Sequence, residues 1–236
     1  MDKVTSKLVD IVIPVHNRLE LTKQTIESLL KNTPPDLYQL YIIDDLSTDG
    51  TREYLMDHAN VMPIFFNNEN IGPGASRNKV CDFITQRGYR SKYLYHSDND
   101  VYFTPGWLQR LVEAYEEACN DVLVLGASCH PYLQNSHRVD FPGYAIGIKD
   151  AVSGYSQLMT WETWDKYGPF DETMRGAEKK IMGSEDWAFC QKIIKDGFKV
   201  GSIEPELVIP CGKTNTYGDP ATGSETFKQV EGVKVI

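Results

Sequence analysis

Tyr38-Gln39-Leu40-Tyr41-Ile42-Ile43-Asp44-Asp45-Leu46-Ser47-Thr48-Asp49-Gly50 is the stretch on which the fold reading turns. Tyr38 to Ile43 is rich in apolar and β-branched side chains, the mark of a buried strand, and it stops on two adjacent carboxylates. A polar turn and Gly50 follow, and a second helix begins. Upstream, Leu8 to Val15 reads as another mostly buried strand. Asn17 then offers an N-cap with Glu20 three residues on as its capping-box partner, so a helix is expected to about Lys31, ended by Pro34 and Pro35. Strand, helix, strand, helix at this spacing is the βαβ rhythm of a parallel sheet.

Downstream the rhythm continues. Strands are expected at Val61–Phe66, Ser91–His96 and Val122–Ala127, with helices from Ala75 to Arg87 and from a Thr104 cap with Pro105 in first position. After Ser128 it weakens. Two or three strands, around Tyr144–Ile148 and Gly154–Thr160, precede a short helix from Trp161 to Tyr167. A Gly/Lys-rich loop from Met174 to Gly183 leads to a helix from Ser184 to Lys195, and a polar tail follows Pro210. The organisation expected is one domain over 1–210, with a nucleotide-binding part at about 8–128, a smaller lobe at about 129–210 and a tail at 211–236.

The 236 residues carry 24 basic and 33 acidic side chains, for a formal net charge of −9. That balance argues against bulk capture of nucleic acid or anionic membrane. Cys81, Cys119, Cys129, Cys190 and Cys211 form no Cys-x-x-Cys pair and read as buried thiols rather than a zinc or disulfide framework. His96, His130 and His137 lack metal-ligand spacing. No apolar run approaches the roughly 20 residues of a membrane span, and no signal peptide is evident. The expectation is a cytoplasmic protein, or one held to a membrane through a partner.

Acidic clusters stand where strands stop, and in open α/β sheets the ligand crevice lies outside the carboxyl ends of the strands. Asp98-Asn99-Asp100 can bring two carboxylates near one hard cation, or can simply be a turn. Asp45 can cap the following helix, or accept hydrogen bonds from a base or ribose. Arg77, in the first turns of a helix after a Gly-containing loop, can pair with a strand-end carboxylate or orient a nucleotide. Glu185 and Asp186 stand at the positive end of a helix, where acids are stabilising in any case, yet a partly enclosed Asp186 also suits a general base. His16 can line the crevice after the first strand, and one aromatic of the Tyr144–Trp187 region, Trp161 among them, can form a platform for a sugar.

Taken together these segments resemble the inverting glycosyltransferase family 2, of GT-A fold, from about residue 8 to 203. Val12-Ile13-Pro14-Val15-His16-Asn17 looks like the family's opening strand and loop. Ile42 to Thr51 is close to its Val-Asp-Asp-Gly-Ser-x-Asp-Gly-Thr segment. Asn70-Ile71-Gly72 through Ala75-Ser76-Arg77-Asn78 follows its Asn-x-Gly-x-x-x-Ala-Arg-Asn pattern. Asp98-Asn99-Asp100 matches the Asp-x-Asp motif, and Gly168 to Glu172 and Glu185-Asp186 match the acceptor-side motifs. Leu46 stands where the family has Gly, and His16 where it has Tyr.

The resemblance implies a Rossmann-like, mostly parallel sheet flanked by helices, with a smaller acceptor lobe. It implies transfer of a sugar from a nucleotide-sugar donor, UDP-linked by family frequency, to a glycan, lipid-linked or other hydroxyl acceptor, with Mn²⁺ or Mg²⁺ as cofactor. Absence of the processive Gln-x-x-Arg-Trp motif points to addition of one sugar. On this reading Asp186 is the base, Asp100 the metal ligand, and Pro14, His16, Asn17, Asp45, Arg77, Asp98, Asn99, Trp161 and Glu185 line the substrates. Competing readings are a sugar-nucleotide nucleotidyltransferase, whose phosphate loop is poorly matched by Pro14–Leu19, and an inactive carbohydrate-binding protein of the same fold. The Gly176–Gly183 loop is a candidate lid, and a modified nucleic-acid base is a further conceivable acceptor.

Overall fold

The computed structural model describes residues 7–59, 62–118, 121–128, 133, 135–174 and 185–211. The expected lid and nearly all of the expected tail lie outside the described residues, as do Cys119, Cys129 and His130. The elements run β1 (Val9–Val15), α1 (Leu19–Asn32), β2 (Tyr38–Asp44), α2 (Thr51–His58), β3 (Ile64–Phe66), α3 (Pro73–Arg87), β4 (Tyr93–Ser97), β5 (Val101–Phe103), α4 (Trp107–Glu117) and β6 (Val122–Gly126). They continue with β7 (His137–Phe141), β8 (Tyr144–Lys149), β9 (Ser156–Thr160), α5 (Trp161–Tyr167), α6 (Glu185–Lys195), β10 (Lys199–Glu204) and β11 (Val208–Pro210).

One nine-stranded sheet has the order β3-β2-β1-β4-β9-β6-β10-β8-β7. Its first four strands are parallel, so β1, β2, β3 and β4 all end at one edge. β9 enters antiparallel between β4 and β6, and β8 runs antiparallel to both β10 and β7. Two reversed strands thus interrupt a mostly parallel sheet, and they come from the back half, where the sequence rhythm faded. The same sheet therefore runs through both halves of the chain. β5 and β11 form a separate two-stranded ribbon.

Two apolar layers cover the sheet. One packs Ile11, Ile13, Leu40 and Ile42 with α1 and the α4 residues Trp107, Leu108 and Leu111. The other packs Val12, Tyr41, Ile43 and Leu94 with α3 residues Val80 and Ile84 and the α6 residues Phe189, Cys190 and Ile193. Alternate residues of β1 thus supply both layers, as a strand buried on both faces requires. Cys81, Cys190 and Cys211 are buried free thiols. No helix among the described residues is long and apolar enough to cross a membrane.

Some local expectations fail for identifiable reasons. α1 does not open with an Asn17–Glu20 capping box: its N-cap is Arg18, in the left-handed region, with no side-chain cap. Asn17 is also left-handed, and its amide oxygen accepts from Thr48 N–H at 2.8 Å, while Asp49 takes the Leu19 N–H at 3.1 Å. A neighbouring loop supplies the cap. Thr104 does not cap α4, which starts at Trp107 behind Gly106; its hydroxyl donates to the Leu207 carbonyl instead. β5, β10 and β11 carry no periodic signal long enough to announce them.

A polar stripe on α1 holds β5. Thr25 Oγ1 accepts from Val101 N–H and donates to its carbonyl, Ser28 Oγ accepts from Phe103 N–H, and Asn32 donates to the Phe103 carbonyl. These groups are spaced one turn apart, and the burial they incur is matched by backbone partners. Thr33, just past α1, accepts the Trp107 indole N–H at 2.8 Å within the core. Thr33→Val, close in shape but lacking the acceptor, is expected to destabilise the fold by about 1–3 kcal/mol in urea titration without a change of slope.

Candidate functional site

The loops after β1, β2, β3 and β4 meet at the common strand-end edge. Pro14 is buried in β1 opposite Ile43, and the β1–β4 ladder ends at Val12 and His96. Beyond that point Pro14, which has no N–H, costs no ladder bond on the β4 side, and the two strands are no longer paired. His16 is exposed just past the end of β1, with Nδ1 at 2.7 Å from the Asp45 carbonyl. Asn17 N–H donates to Ser47 Oγ at 2.8 Å, and the Asn17 carbonyl accepts from Asn99 at 3.0 Å. Asn99 also donates to Thr22 at 2.8 Å, so the middle residue of the Asp-Asn-Asp triplet ties the β4 loop to the β1 loop.

Asp45 is buried and takes hydrogen bonds on both oxygens. Oδ1 accepts from Asn67 at 3.0 Å and Ile71 N–H at 2.8 Å; Oδ2 accepts from Gly72 N–H at 2.7 Å. It does not cap α2. It clamps the loop that runs into α3, at a point where Gly72 has φ 84° and ψ 163°, a conformation essentially reserved for glycine. The helix-capping work falls to Asp49, which accepts from Thr51 and from Leu19 N–H. Partial burial works to raise the Asp49 pKa, but these bonds outweigh it and hold the group low. Asp44 accepts from Ser47 N–H and pairs with Arg52 at 3.5 Å.

Arg77 lies in the middle, 1 % exposed. Its guanidinium donates to the Ser97 carbonyl at 3.1 Å and to the Asp98 carboxylate, and Nη1 lies 3.9 Å from Glu185. A bare or half-paired guanidinium would be costly at that depth, so the surrounding carboxylates are part of the fold. Asp98 remains 39 % exposed at its side chain and Asp100 19 %. Asp100 pairs with Arg18 Nη1 at 2.5 Å. Burial and the neighbouring Asp98 charge push the Asp100 carboxyl up to about 6, against the opposing pull of Arg18.

Among the described residues no three His, Cys, Asp or Glu side chains cluster as a complete metal cage. The donor set still fits Mg²⁺ or Mn²⁺: hard cations of this kind are held by one or two carboxylates, with water and substrate phosphate completing the shell. The guanidinium on Asp100 already marks this carboxylate as a place for positive charge.

On the far side of Arg77 stands α6. Asp186 Oδ2 accepts from Gly154 N–H at 2.8 Å and Oδ1 from Trp187 N–H at 2.8 Å, which fixes the direction of the carboxylate. Gly154 is one point where the two halves touch: a Cβ there would lie 3.5 Å from Arg77 Nη1 and 3.5 Å from Asp186 Oδ2. Burial, and then the Asp186 charge, push Glu185 above the ordinary carboxylate range, while Arg77 works the other way. Asn78 locks the Gly168–Glu172 turn in place, accepting from Phe170 N–H and donating to the Phe170 carbonyl and to Glu172, each at 3.0 Å.

Thus His16, Asn17, Asp45, Arg77, Asp98, Asn99, Asp100, Glu185 and Asp186 come together, with Asn99 turned to protein partners. Trp161 does not join them. It follows β9, whose Thr160 pairs with Tyr93 at the start of β4, so it sits at the opposite edge of the sheet. Its indole donates to buried Asp10 at 2.9 Å and Arg90 covers its face at 4.6 Å. Sequence reasoning missed Arg18, Asp49, Asn67 and Gly154. Arg18 alone left a trace, a basic residue just past the first strand; the other three act through neighbours distant in sequence.

A family model described as Glycosyl transferase family 2 matches residues 10–149. An uncharacterized glycosyltransferase of Rickettsia conorii is 26 % identical over 223 residues, 90 % of this chain but 34 % of that protein. A Bacillus subtilis (strain 168) protein assigned to teichuronic acid biosynthesis, TuaG, is 27 % identical over 199 residues, 81 % of this chain and 73 % of its own length. Among solved structures, GalNAc-T7 with UDP, GalNAc and Mn²⁺ superposes with a TM-score of 0.63 at 15 % identity, over 86 % of this chain and 44 % of that one. This chain therefore spans about a third of the Rickettsia relative and less than half of the GalNAc-T7 chain. The fold is the GT-A fold.

Asp45→Asn leaves one oxygen but turns a donor toward either the Ile71 or the Gly72 N–H. The variant is expected to lose about 1–3 kcal/mol of stability, and its Gly72 amide to exchange with solvent about tenfold faster or more, read by hydrogen exchange. Unchanged exchange at Ile71 and Gly72 would mean that the loop is held by something else.

Proposed function

The chain belongs to glycosyl transferase family 2, and from that membership we propose that it transfers a sugar, with inversion, from a nucleotide-sugar donor to an acceptor hydroxyl, one sugar at a time. The observation that carries this reading is that buried Arg77 pairs with Asp98 and lies 3.9 Å from Glu185, next to Asp186, at the strand-end edge where Asp45 and the Arg18-paired Asp100 also stand. The donor side is formed by the loops of about 8–128 and the acceptor side by 129–210. UDP is the first donor base to try, supported by the UDP complex of the similar GalNAc-T7 structure.

Asp45 organises the base pocket. Three of the roughly four lone-pair directions of its carboxylate hold Asn67, Ile71 and Gly72, and the remaining one can accept from a base N–H. His16 and Asn17 border the same opening. Asp98, fixed by Arg77, faces the ribose side, and Asp100 would be the main protein ligand of a Mn²⁺ or Mg²⁺ ion. Such an ion, when bound, supplies the positive charge that stabilises a departing nucleoside diphosphate.

Asp186 is oriented by the Gly154 and Trp187 N–H groups to take the proton of the incoming hydroxyl as the new glycosidic bond forms. Glu185, at the N-terminus of α6 against Arg77, positions that helix end against the donor side. A single displacement at the anomeric carbon needs base and leaving group on opposite faces of the sugar, and the reading assigns the base to α6 and the leaving group to the loop after β4.

The test is a binding and slow-hydrolysis screen of UDP-, GDP- and dTDP-sugars with and without Mn²⁺. Metal-dependent release of one nucleoside diphosphate is expected, and Asp100→Ala should abolish the metal dependence. Asp186→Asn should lower kcat for transfer by about a hundredfold to ten-thousandfold while leaving donor binding near that of the parent. No binding of any donor would sink the enzymatic reading, and a kcat unaffected by Asp186→Asn would remove Asp186 as the base.

A further inference from the structure

Arg18 is the one residue at the crevice whose placement the donor and acceptor roles above leave unexplained. Its backbone sits at φ 64°, in the left-handed region that costs a non-glycine residue free energy, directly after Asn17 at φ 56°. That backbone is pinned on both sides. Asn17 N–H donates to Ser47, Asn17 Oδ1 accepts from Thr48 N–H, the Asn17 carbonyl accepts from Asn99, and Leu19 N–H donates to Asp49. With the backbone so held, the group placed to rearrange is the long side chain, which is one-third exposed. Its guanidinium rests on Asp100, the carboxylate to which the metal is assigned.

We propose that Arg18 is a resident cation that competes with the divalent metal for Asp100 and is drawn off it by the diphosphate of an incoming donor. This rests on the donor and metal assignment of the proposed function. Without nucleotide, Asp100 beside Asp98 needs a counter-charge, and Arg18 provides one from within the chain. A guanidinium has planar donors that suit phosphate oxygens as well as carboxylate, so a diphosphate arriving beside Asp100 offers it a second partner. Exchange then leaves Asp100 to the metal and Arg18 to the diphosphate, and total positive charge at the site rises only when the diphosphate brings negative charge to meet it. Metal and nucleotide binding are thereby coupled, each strengthening the other.

The experiment is Mn²⁺ titration followed by electron paramagnetic resonance, with and without saturating UDP, on the parent protein, Arg18→Gln, Arg18→Lys and Arg18→Gly. Glycine accepts φ 64° readily, so the last variant removes the guanidinium without burdening the backbone. Without UDP, Arg18→Gln and Arg18→Gly are expected to bind Mn²⁺ about tenfold tighter than the parent, as loss of one charge-assisted pair implies, with Arg18→Lys close to the parent. UDP should tighten Mn²⁺ binding more in the parent than in either neutral variant. Equal or weaker Mn²⁺ binding by both neutral variants without UDP would overturn the proposal while leaving the donor and metal reading intact. If the parent binds no Mn²⁺ even with UDP, the metal reading itself fails and the proposal falls with it.

Discussion

Burial of the Arg77 guanidinium is the constraint on which the site depends. A cation 1 % exposed in the middle of a sheet edge must be matched by negative charge and by acceptors. The protein supplies both from three separate elements: the Ser97 carbonyl at the end of β4, Asp98 just beyond it, and Glu185 at the head of α6. Glu185 and Asp98 are far apart in sequence, and removing the cation between them would leave two carboxylates near each other without a counter-charge. Neighbouring side chains feel the same charge. His96, fully buried under Arg77, is held neutral, with its pKa far below the ordinary value because of burial first and Arg77 second.

Around that cation the loops are tied down by side-chain hydrogen bonds, and the conformations they hold have a cost. Asn17, Arg18 and Leu46 all hold positive φ without being glycine. Leu46 stands where the family carries Gly, and its φ of 63° gives the reason for the family's preference. Each such residue costs on the order of 1 kcal/mol or more, and side-chain clamps offset it. Asp45 grips Ile71 and Gly72, Asp49 ties α1 to α2, and Asn99 bolts the β4 loop to the β1 loop. Residues that look like ligand contacts in a linear motif are in several cases holding the loops that make the crevice.

The two halves are joined by short contacts as well as by the sheet. Asn78, the last residue of the Ala-Ser-Arg-Asn stretch on α3, exchanges hydrogen bonds with the Phe170 backbone, so the turn before the acceptor side is registered against the helix that carries Arg77. Gly74 brings α3 so close to α6 that an added Cβ would fall 2.9 Å from Glu185 Cγ. The helix that carries Arg77 and the segments around Phe170 and Glu185 are thus positioned by one another.

Much of this was legible in the residues. The apolar runs ending in Val15, Asp44, Phe66 and near Ser97 announced parallel strands, and parallel strands by geometry deliver their following loops to one edge, so Asp45, Arg77, Asp98 and Asp100 could be placed together from sequence. The start of the last helix, where the sequence put Asp186, is also where α6 begins, on a helix whose Phe189, Cys190 and Ile193 are buried. What sequence could not decide was partnership. Whether Asp45 caps a helix or clamps a loop, whether Asn17 or Asp49 caps α1, and whether Trp161 faces a sugar or Asp10 depends on groups tens of residues away, brought near only when the sheet closes. Strand insertion was decided the same way: β9 enters antiparallel beside β4, which sends Trp161 to the wrong edge and leaves Gly154 at the right one. Local pattern fixes which element forms and which face is apolar, because those depend on the period of the backbone. The choice of hydrogen-bond partner for each buried polar group belongs to the tertiary structure, because desolvation demands a partner and only the packed fold determines which one is within reach.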